Sequence, residues 1–486
     1  MTVLAIDAGT TGVTALVVTD DGRIASRGYQ EFAQHFPRPG WVEHEPEEIW
    51  QATLSACRDA LRDQPAPQAV GITNQRETAV LWDRRTLAAP RRALVWQDRR
   101  TTEICTRLRD AGHEDRVSAL TGLRLDPYFT GTKLTWIREN DPAAWSDDVA
   151  VGTVDAYLVA RLTGGRVHAT DPSNASRTLL ADISTGRWSD ELCDLFGVPM
   201  TSLPEIRPSS GDFGRTDPAA FLGLDLPIAG IAGDQQAALF GQACFDPGQS
   251  KCTYGTGSFV LVNTGTTAVR SDAGLLTTVA WDLGDGLVYA LEGAIFVTGA
   301  AVQWLRDGLG IIGNAAETEP LARTVADSGG VVFVPALTGL GAPHWDPDAR
   351  GAIVGITRGT TRAHLARATL EAIAFEVRDV VDVMTEDAGI DVPELSVDGG
   401  AAANDLLCEL QAAVLQVPVR RPQVAETTAL GAAFLAGLAT GVWGSTEELR
   451  ATWRLDERFE PPTGGRDDAA YARWQRAVAA TRSIAQ

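Results

Sequence analysis

The sequence predicts an α/β protein built as two similar halves with a ligand held between them. Three observations lead there. Apolar strand-like runs alternate with amphipathic helical stretches along the whole chain. A tight corner of glycine and threonine between two apolar runs occurs twice, at Asp7-Ala-Gly-Thr-Thr-Gly12 and at Tyr254-Gly-Thr-Gly-Ser258. A turn-forming triplet, Asp246-Pro247-Gly248, stands just before the second corner.

Each element follows from its pattern. Val3–Val18 reads as a β-hairpin closed by the first corner, and runs of the same kind recur at 69–74, 79–82, 228–233, 252–263, 330–335 and 395–400. Helical spacing marks 46–62, 294–305, 362–388 and 404–415. In 362–388 the apolar Leu365, Leu370, Ile373, Val377, Val380, Val381 and Met384 share a face, with Thr361 as cap and Gly389 as stop. Thr427–Thr446 is uncharged but carries four glycines, so it is expected to be a buried, alanine-rich helix rather than a membrane span. The acidic stretch Asp456–Asp468 is expected to be a solvated closing loop.

Composition narrows the function. The chain has 486 residues, 44% hydrophobic and 22% charged, within the globular range. Lys+Arg number 42 against 63 Asp+Glu, a net charge of −21, which argues against nucleic acid and anionic membrane surfaces as partners. Lys133 and Lys251 are the only lysines and neither follows a glycine, so a GK[ST] phosphate loop is absent. The six cysteines are scattered without a C-x-x-C pair, which points to free thiols in a reducing compartment. With no basic leader before the first strand, a cytoplasmic protein without an integral membrane segment is expected. Gly308-Leu-Gly-Ile-Ile-Gly313 matches a dinucleotide fingerprint but follows a helical stretch, so the required strand is missing.

Several short stretches carry candidate chemistry, each with an ordinary alternative. The 7–12 turn can wrap phosphate oxygens with backbone N–H groups and the Thr10 and Thr11 hydroxyls. Asp7 would then hold a bridging Mg²⁺, or it simply satisfies local N–H groups. Asp234, at the end of the 228–233 run, reads as a carboxylate facing an interdomain crevice or as a plain helix cap. Asn74-Gln-Arg-Glu-Thr78 reads as a solvated turn or as a donor and acceptor pair for a hydroxyl-rich ligand, with Trp96 and Tyr128 as aromatic walls. Gly399-Gly-Ala-Ala-Ala-Asn404 joins a strand to a helix and presents N–H groups to an anion, with Asn404 as cap.

Together and in this order, the stretches resemble the FGGY carbohydrate kinase family, from about residue 3 to about residue 480. They are Pro39–His44, Gly71–Thr78, Val95–Arg100, Asp126–Phe129, Asp171–Arg177, Gly230–Ala238, Thr253–Gly257, Gly339–Pro343 and Asp398–Gly400. The resemblance implies two actin-like, ribonuclease-H-type domains with an interdomain active-site cleft, at 1–247 with the acceptor site and first phosphate loop, and 248–486 with the nucleotide site. It implies ATP-dependent phosphorylation of glycerol to sn-glycerol 3-phosphate, with ATP and Mg²⁺, in a homodimer or homotetramer. A sister kinase for another polyol or ketose, and a non-catalytic nucleotide-binding homologue, are the alternatives. Arg76, Glu77, Trp96, Tyr128, Asp234, Gln235 and Phe259 are implied at the acceptor. Thr10, Thr11, Gly12, Thr256, Gly299, Gln303, Gly400 and Asn404 are implied at the nucleotide. Asp7 and Asp234 are implied at the metal, with Asp234 as catalytic base. This chain departs from the family's D-Q-G-T-T-S-S-R at the first loop, where Ala8, Gly12 and Thr14 replace glutamine, serine and the arginine expected to reach the nucleotide.

Overall fold

A computed structural model describes residues 1–485. Two sheets organise it. The first contains β1 (Thr2–Ala8), β2 (Gly12–Thr19), β3 (Ile24–Glu31), β4 (Ala69–Asn74) and β5 (Ile228–Gly233), in the order β5-β4-β1-β2-β3. The second contains β6 (Ser250–Tyr254), β7 (Ser258–Gly265), β8 (Leu276–Asp282), β9 (Leu287–Ile295), β10 (Leu395–Asp398), β11 (Val419–Pro422) and β12 (Leu455–Phe459), in the order β8-β9-β7-β6-β10-β11-β12. In each sheet an antiparallel hairpin is extended by two parallel strands, β4 and β5 in one, β10 and β11 in the other. The duplication expected from the two glycine–threonine corners is thus a duplication of topology, and the fold is the two-domain actin-like one.

Period-two alternation explains how the first sheet is covered on both faces. Leu4 and Ile6 of β1 point to a core shared with Trp50 and Ala56 of helix α1 (Pro46–Ala60), while Val3 and Ala5 point the other way. Helix α2 (Asp234–Gly241) shares the core on that second face, which also includes Leu261 of β7 and Ala290 of β9 and so joins the two sheets. Helices α3 (Gly299–Asp307), α4 (Arg362–Glu386) and α5 (Asp405–Leu415) cover the second sheet. Thr361 and His364 close a capping box at the start of α4.

Helix α6 (Thr427–Thr440), the alanine-rich segment, lies in the core between the halves. A Cβ on Gly431 would sit 1.8 Å from the Ala237 carbonyl oxygen of α2, and one on Gly71 would sit 2.1 Å from the Ala432 carbonyl oxygen. Only glycine permits backbones this close. Among the described residues no helix is long and apolar enough to cross a membrane.

The 69–74 and 228–233 runs form strands as expected, the 395–400 run is a strand over Leu395–Asp398, and all three pair in parallel with partners far away in sequence. Three expectations are corrected. Residues 294–298 are not helical. β9 continues to Ile295, pairing with Ser258, and α3 begins only at Gly299. The short apolar run 294–297 carries no periodicity to separate strand from helix. The 330–335 run shortens to a strand over Val332–Val334. Residues 455–459 form β12, an exposed edge strand antiparallel to β11, so their charge reflects a solvated strand rather than a loop.

Candidate active site

The site is built where the ends of the first sheet meet the second. The turn between β1 and β2 is closed by the Gly9 N–H donating to the Gly12 carbonyl at 3.0 Å, and the β6–β7 turn repeats this with Gly255 N–H to Gly257 at 2.8 Å. The first corner has four residues between its paired strand ends and the second has three, each closed by a glycine N–H. Thr10 is half-buried, Thr11 and Thr256 are exposed. The expected role of Gly12 is modified by its neighbour: a Cβ there would lie 2.8 Å from the Tyr29 hydroxyl, so Tyr29 fills the room a serine side chain would need.

The 74–78 connection is not a solvated turn. Asn74, Gln75, Arg76, Glu77 and Thr78 are each no more than 2% exposed. The polar atoms are satisfied internally, which is what makes their burial tolerable. Gln75 Nε2 donates to the Gly9 carbonyl at 3.0 Å, Thr78 Oγ1 donates to Gln75 Oε1 at 2.8 Å, and Asn74 and Asn174 exchange amide hydrogen bonds at 3.1 and 3.2 Å. The connection thus braces the 9–12 turn. Glu77 holds a left-handed backbone at φ +61°, an unfavourable conformation for a non-glycine residue, maintained by the packing around it.

Arg76 is the hub. Its Nε lies 3.1 Å from Asp234 Oδ1, and its Nη2 donates to Glu292 Oε1 at 3.2 Å and to Tyr128 Oη at 3.3 Å. Its guanidinium stands 5.6 Å over the Phe259 ring. Trp96 packs edge-on against Tyr128 at 5.6 Å, and its Nε1 donates to Thr10 Oγ1 at 2.9 Å. That bond ties the Trp96–Tyr128 pair to the 9–12 turn. Gln235 departs from a simple acceptor contact, because its Oε1 takes a hydrogen bond from the buried Lys251 ammonium.

Asp234 opens α2 with Gly233 as the cap residue, and its Oδ1 accepts the Gln235 N–H at 2.7 Å. Burial raises its pKa, opposed by Arg76 and Lys251. Asp7, on β1, has no basic partner among the described residues. Burial and the neighbouring Asp234 and Glu426 carboxylates push it up to about 7. Described residues contain no cluster of three metal-ligating side chains. Asp7, whose charge lacks a protein counterion, nevertheless suits with Asp234 nearby a cation that keeps water and phosphate ligands, as Mg²⁺ does.

On the other side of the cleft, a cavity of about 620 Å³ brings together Thr256, Gly299, Gln303, Gly400 and Asn404, floored by Leu370, Ile373 and Leu407. Asn404 caps α5, its Oδ1 accepting the Leu407 N–H at 2.9 Å, so capping and cavity lining coexist. Thr10, Thr11 and Gly12 approach from the opposite half and do not line this cavity.

Three residues at the site carry no site role in the sequence reading. Glu292, fully buried on β9, is bound by Arg76 and by Arg177, whose Nη2 donates at 2.9 Å. Against burial, Arg177 and Arg76 hold Glu292 down to about 2. Arg177 also donates from Nε to Glu77 Oε1 at 2.7 Å. Lys251 is fully buried beside Gln235 and Thr253. Their signals were available: a lone acid inside an apolar strand, and a lysine in a chain with only two.

Residues 2–241 match the N-terminal domain, and residues 250–440 the C-terminal domain, of the FGGY family of carbohydrate kinases. The chain belongs to the FGGY family. It is 53% identical over 485 residues to glycerol kinase 2 of Thermotoga maritima, covering 98% of both chains, and 56% identical over 485 residues to the glycerol kinase of Dechloromonas aromatica, covering 98% of this chain and 96% of that one. Among solved structures it superposes on the Plasmodium falciparum glycerol kinase with ADP at TM-score 0.91 and 35% identity, covering 99% and 98% of the chains. A xylulose kinase from Rhodospirillum rubrum follows at TM-score 0.87 and 26% identity over all of both chains.

Proposed function

We propose that this FGGY kinase transfers the γ-phosphoryl group of ATP to glycerol, giving sn-glycerol 3-phosphate. The observation that carries the reading is the cluster in which Arg76, Glu77, Tyr128, Trp96, Phe259 and Asp234 converge on one side of a cleft whose other side holds a nucleotide-sized cavity. Over 50% identity to glycerol kinases across nearly the whole chain supports it.

The chemistry follows from the arrangement. Phosphoryl transfer depends on positioning and charge neutralisation more than on covalent work by the protein. Arg76 and Glu77 offer donors and an acceptor to two adjacent hydroxyls, while Trp96 and Phe259 wall the carbon chain. Asp234 accepts the proton of the attacking hydroxyl, a role worth roughly 10²–10⁴-fold, and its raised pKa brings it nearer the working pH. The Thr10, Thr11 and Thr256 corners receive the phosphates from the two halves. Asp7, with Asp234 beside it, would hold Mg²⁺, which supplies charge neutralisation for the phosphates when bound. Closure of the halves over the substrates keeps water from competing as acceptor. The six cysteines, all buried and unpaired, support a cytoplasmic setting.

The test is Mg²⁺-dependent ADP release with glycerol, dihydroxyacetone, erythritol and xylulose offered separately, with Asp234→Asn as blank. Saturable turnover strongest with glycerol and at least about 100-fold lower in the blank is expected. Stronger turnover of another acceptor, or none with any of the four, overturns the reading.

A further inference from the structure

The turns assigned to the nucleotide's phosphates, 7–14, 253–258 and 399–404, contain no lysine or arginine. A triphosphate brings several negative charges to a cleft already holding Asp7, Asp234 and Glu426. Arg306 lines the nucleotide cavity from α3, on the far side from the 7–14 turn, and pairs with its neighbour Asp307, and most other cations bordering that cleft are committed elsewhere. Arg76 lies between Glu292 and Asp234, Lys251 is buried against Gln235 and Thr253, and Arg421 is tied to Asp405, Asp456 and Glu457.

Arg27 on β3 is different. Its side chain is 50% exposed, its one ion pair joins Nε to Glu426 Oε1 at 3.3 Å, and its guanidinium rests 5.5 Å over the Tyr29 ring. Glu426 lines a second cavity, of about 580 Å³, that shares Gly400 and Ala403 with the nucleotide cavity. The same carboxylate acts on Asp7 at the end of β1. Arg27 therefore stands at the rim where the glycine turn of one half meets the phosphate turn of the other.

The strand register fixes what surrounds it. Gly12 pairs with Glu31, Thr14 with Tyr29 and Leu16 with Arg27, so alternation puts Gly12, Thr14, Tyr29 and Arg27 on one face of the sheet. The room beside Gly12 is taken by the Tyr29 hydroxyl, 2.8 Å from where a Cβ would be. Gly12 thus makes room for the Tyr29 hydroxyl on the face that Thr14 and Arg27 also occupy.

We propose that Arg27 is a phosphate-binding residue for the nucleotide, held near the cleft by Glu426 and Tyr29 and supplying from β3 the positive charge that Thr14 does not supply from β2. The proposal rests on the ATP reading above. An exposed ion pair at 3.3 Å is worth little, so its exchange for a phosphate that accepts two parallel N–H bonds from the guanidinium fork is favoured. Half-exposure lets the side chain swing without repacking a core.

The experiment titrates the intact protein and Arg27→Gln, with Mg²⁺ present, with adenosine, ADP and a non-hydrolysable ATP analogue by calorimetry, alongside steady-state kinetics. Adenosine should bind both proteins alike, which also reports an undamaged nucleotide cavity. The triphosphate analogue should bind Arg27→Gln about tenfold more weakly and KM for ATP should rise by about the same factor, with KM for glycerol unchanged. Equal affinity of the two proteins for the analogue overturns the proposal, as does an equal loss for adenosine. Absence of glycerol phosphorylation by the intact protein overturns the proposed function instead, and the titrations still decide the role of Arg27.

Discussion

Replacing Glu292 with glutamine preserves the size of a fully buried side chain and removes one charge from the centre of the site. In the native arrangement Glu292 receives N–H groups from two guanidiniums, Arg76 at 3.2 Å and Arg177 at 2.9 Å, which reach it from the opposite half of the molecule. Without that charge, two buried cations share Glu77 and Asp234. Breaking a buried ion pair from one side costs about 3–5 kcal/mol, because the partner's charge stays desolvated. For a domain of this size each kcal/mol moves Tm by roughly 2–4 °C, so a fall of about 6–20 °C is expected by calorimetry or circular dichroism. Catalysis should change in a particular direction. Arg76, released from Glu292, pairs more fully with Asp234 and leaves the acceptor, losing a charged hydrogen bond worth about 1.5–3 kcal/mol, or roughly 10–150-fold in kcat/KM for glycerol. ADP affinity should stay within about twofold, since Glu292 does not line the nucleotide cavity, and tight ADP binding doubles as evidence that the variant is folded. A glycerol kcat/KM within twofold of the parent, or a parallel loss of ADP binding, would refute the idea that Glu292 positions Arg76.

Two further predictions test the frame around the site. Gly431→Ala should lower stability by about 1–3 kcal/mol or more, because its Cβ would lie 1.8 Å from the Ala237 carbonyl oxygen and force α2 and α6 apart; an unchanged denaturation midpoint would contradict that packing. His44 is fully buried, with its Nδ1 3.3 Å from Gln75 Nε2, and burial together with His35 lowers its pKa from 6.5 to about 4. The folded state resists a proton that the unfolded chain takes up, so this contribution is complete above pH 6.5 and is lost as pH falls towards 4. At pH 5 the loss is about 2 kcal/mol, and urea denaturation at pH 7 and pH 5 should show His44→Gln spared that decline; identical pH sensitivity in both proteins would sink the assignment.

Much of this was legible in the residues themselves. Local signals act over a few positions and do not depend on distant context, which is why the 3–18 hairpin, the α4 helix with its Thr361 cap and the Asn404 cap were readable. The glycine–threonine corners at 7–12 and 254–258 are of the same kind, since their closure needs only nearby N–H and carbonyl groups. The order of motifs points to the family, and five residues it implies, Thr256, Gly299, Gln303, Gly400 and Asn404, line one cavity.

Tertiary structure alone decided how those residues are held. Whether Asn74–Thr78 is a solvated turn or a buried wall depends on partners such as Gly9, Asn174 and Glu292, which local polarity does not report. Glu292 and Arg177 gain meaning only once β9 meets the 74–78 connection from the opposite half, because a buried charge is stable only beside a counter-charge brought there by the fold. Arg27 likewise reads as an ordinary exposed strand residue until Glu426, nearly the whole chain away, is placed beside it. Residue patterns set which local elements form and which chemistry is on offer; the packing of two sheets across one cleft sets which charges face each other, since Coulomb interactions and desolvation depend on distance in space and not along the chain.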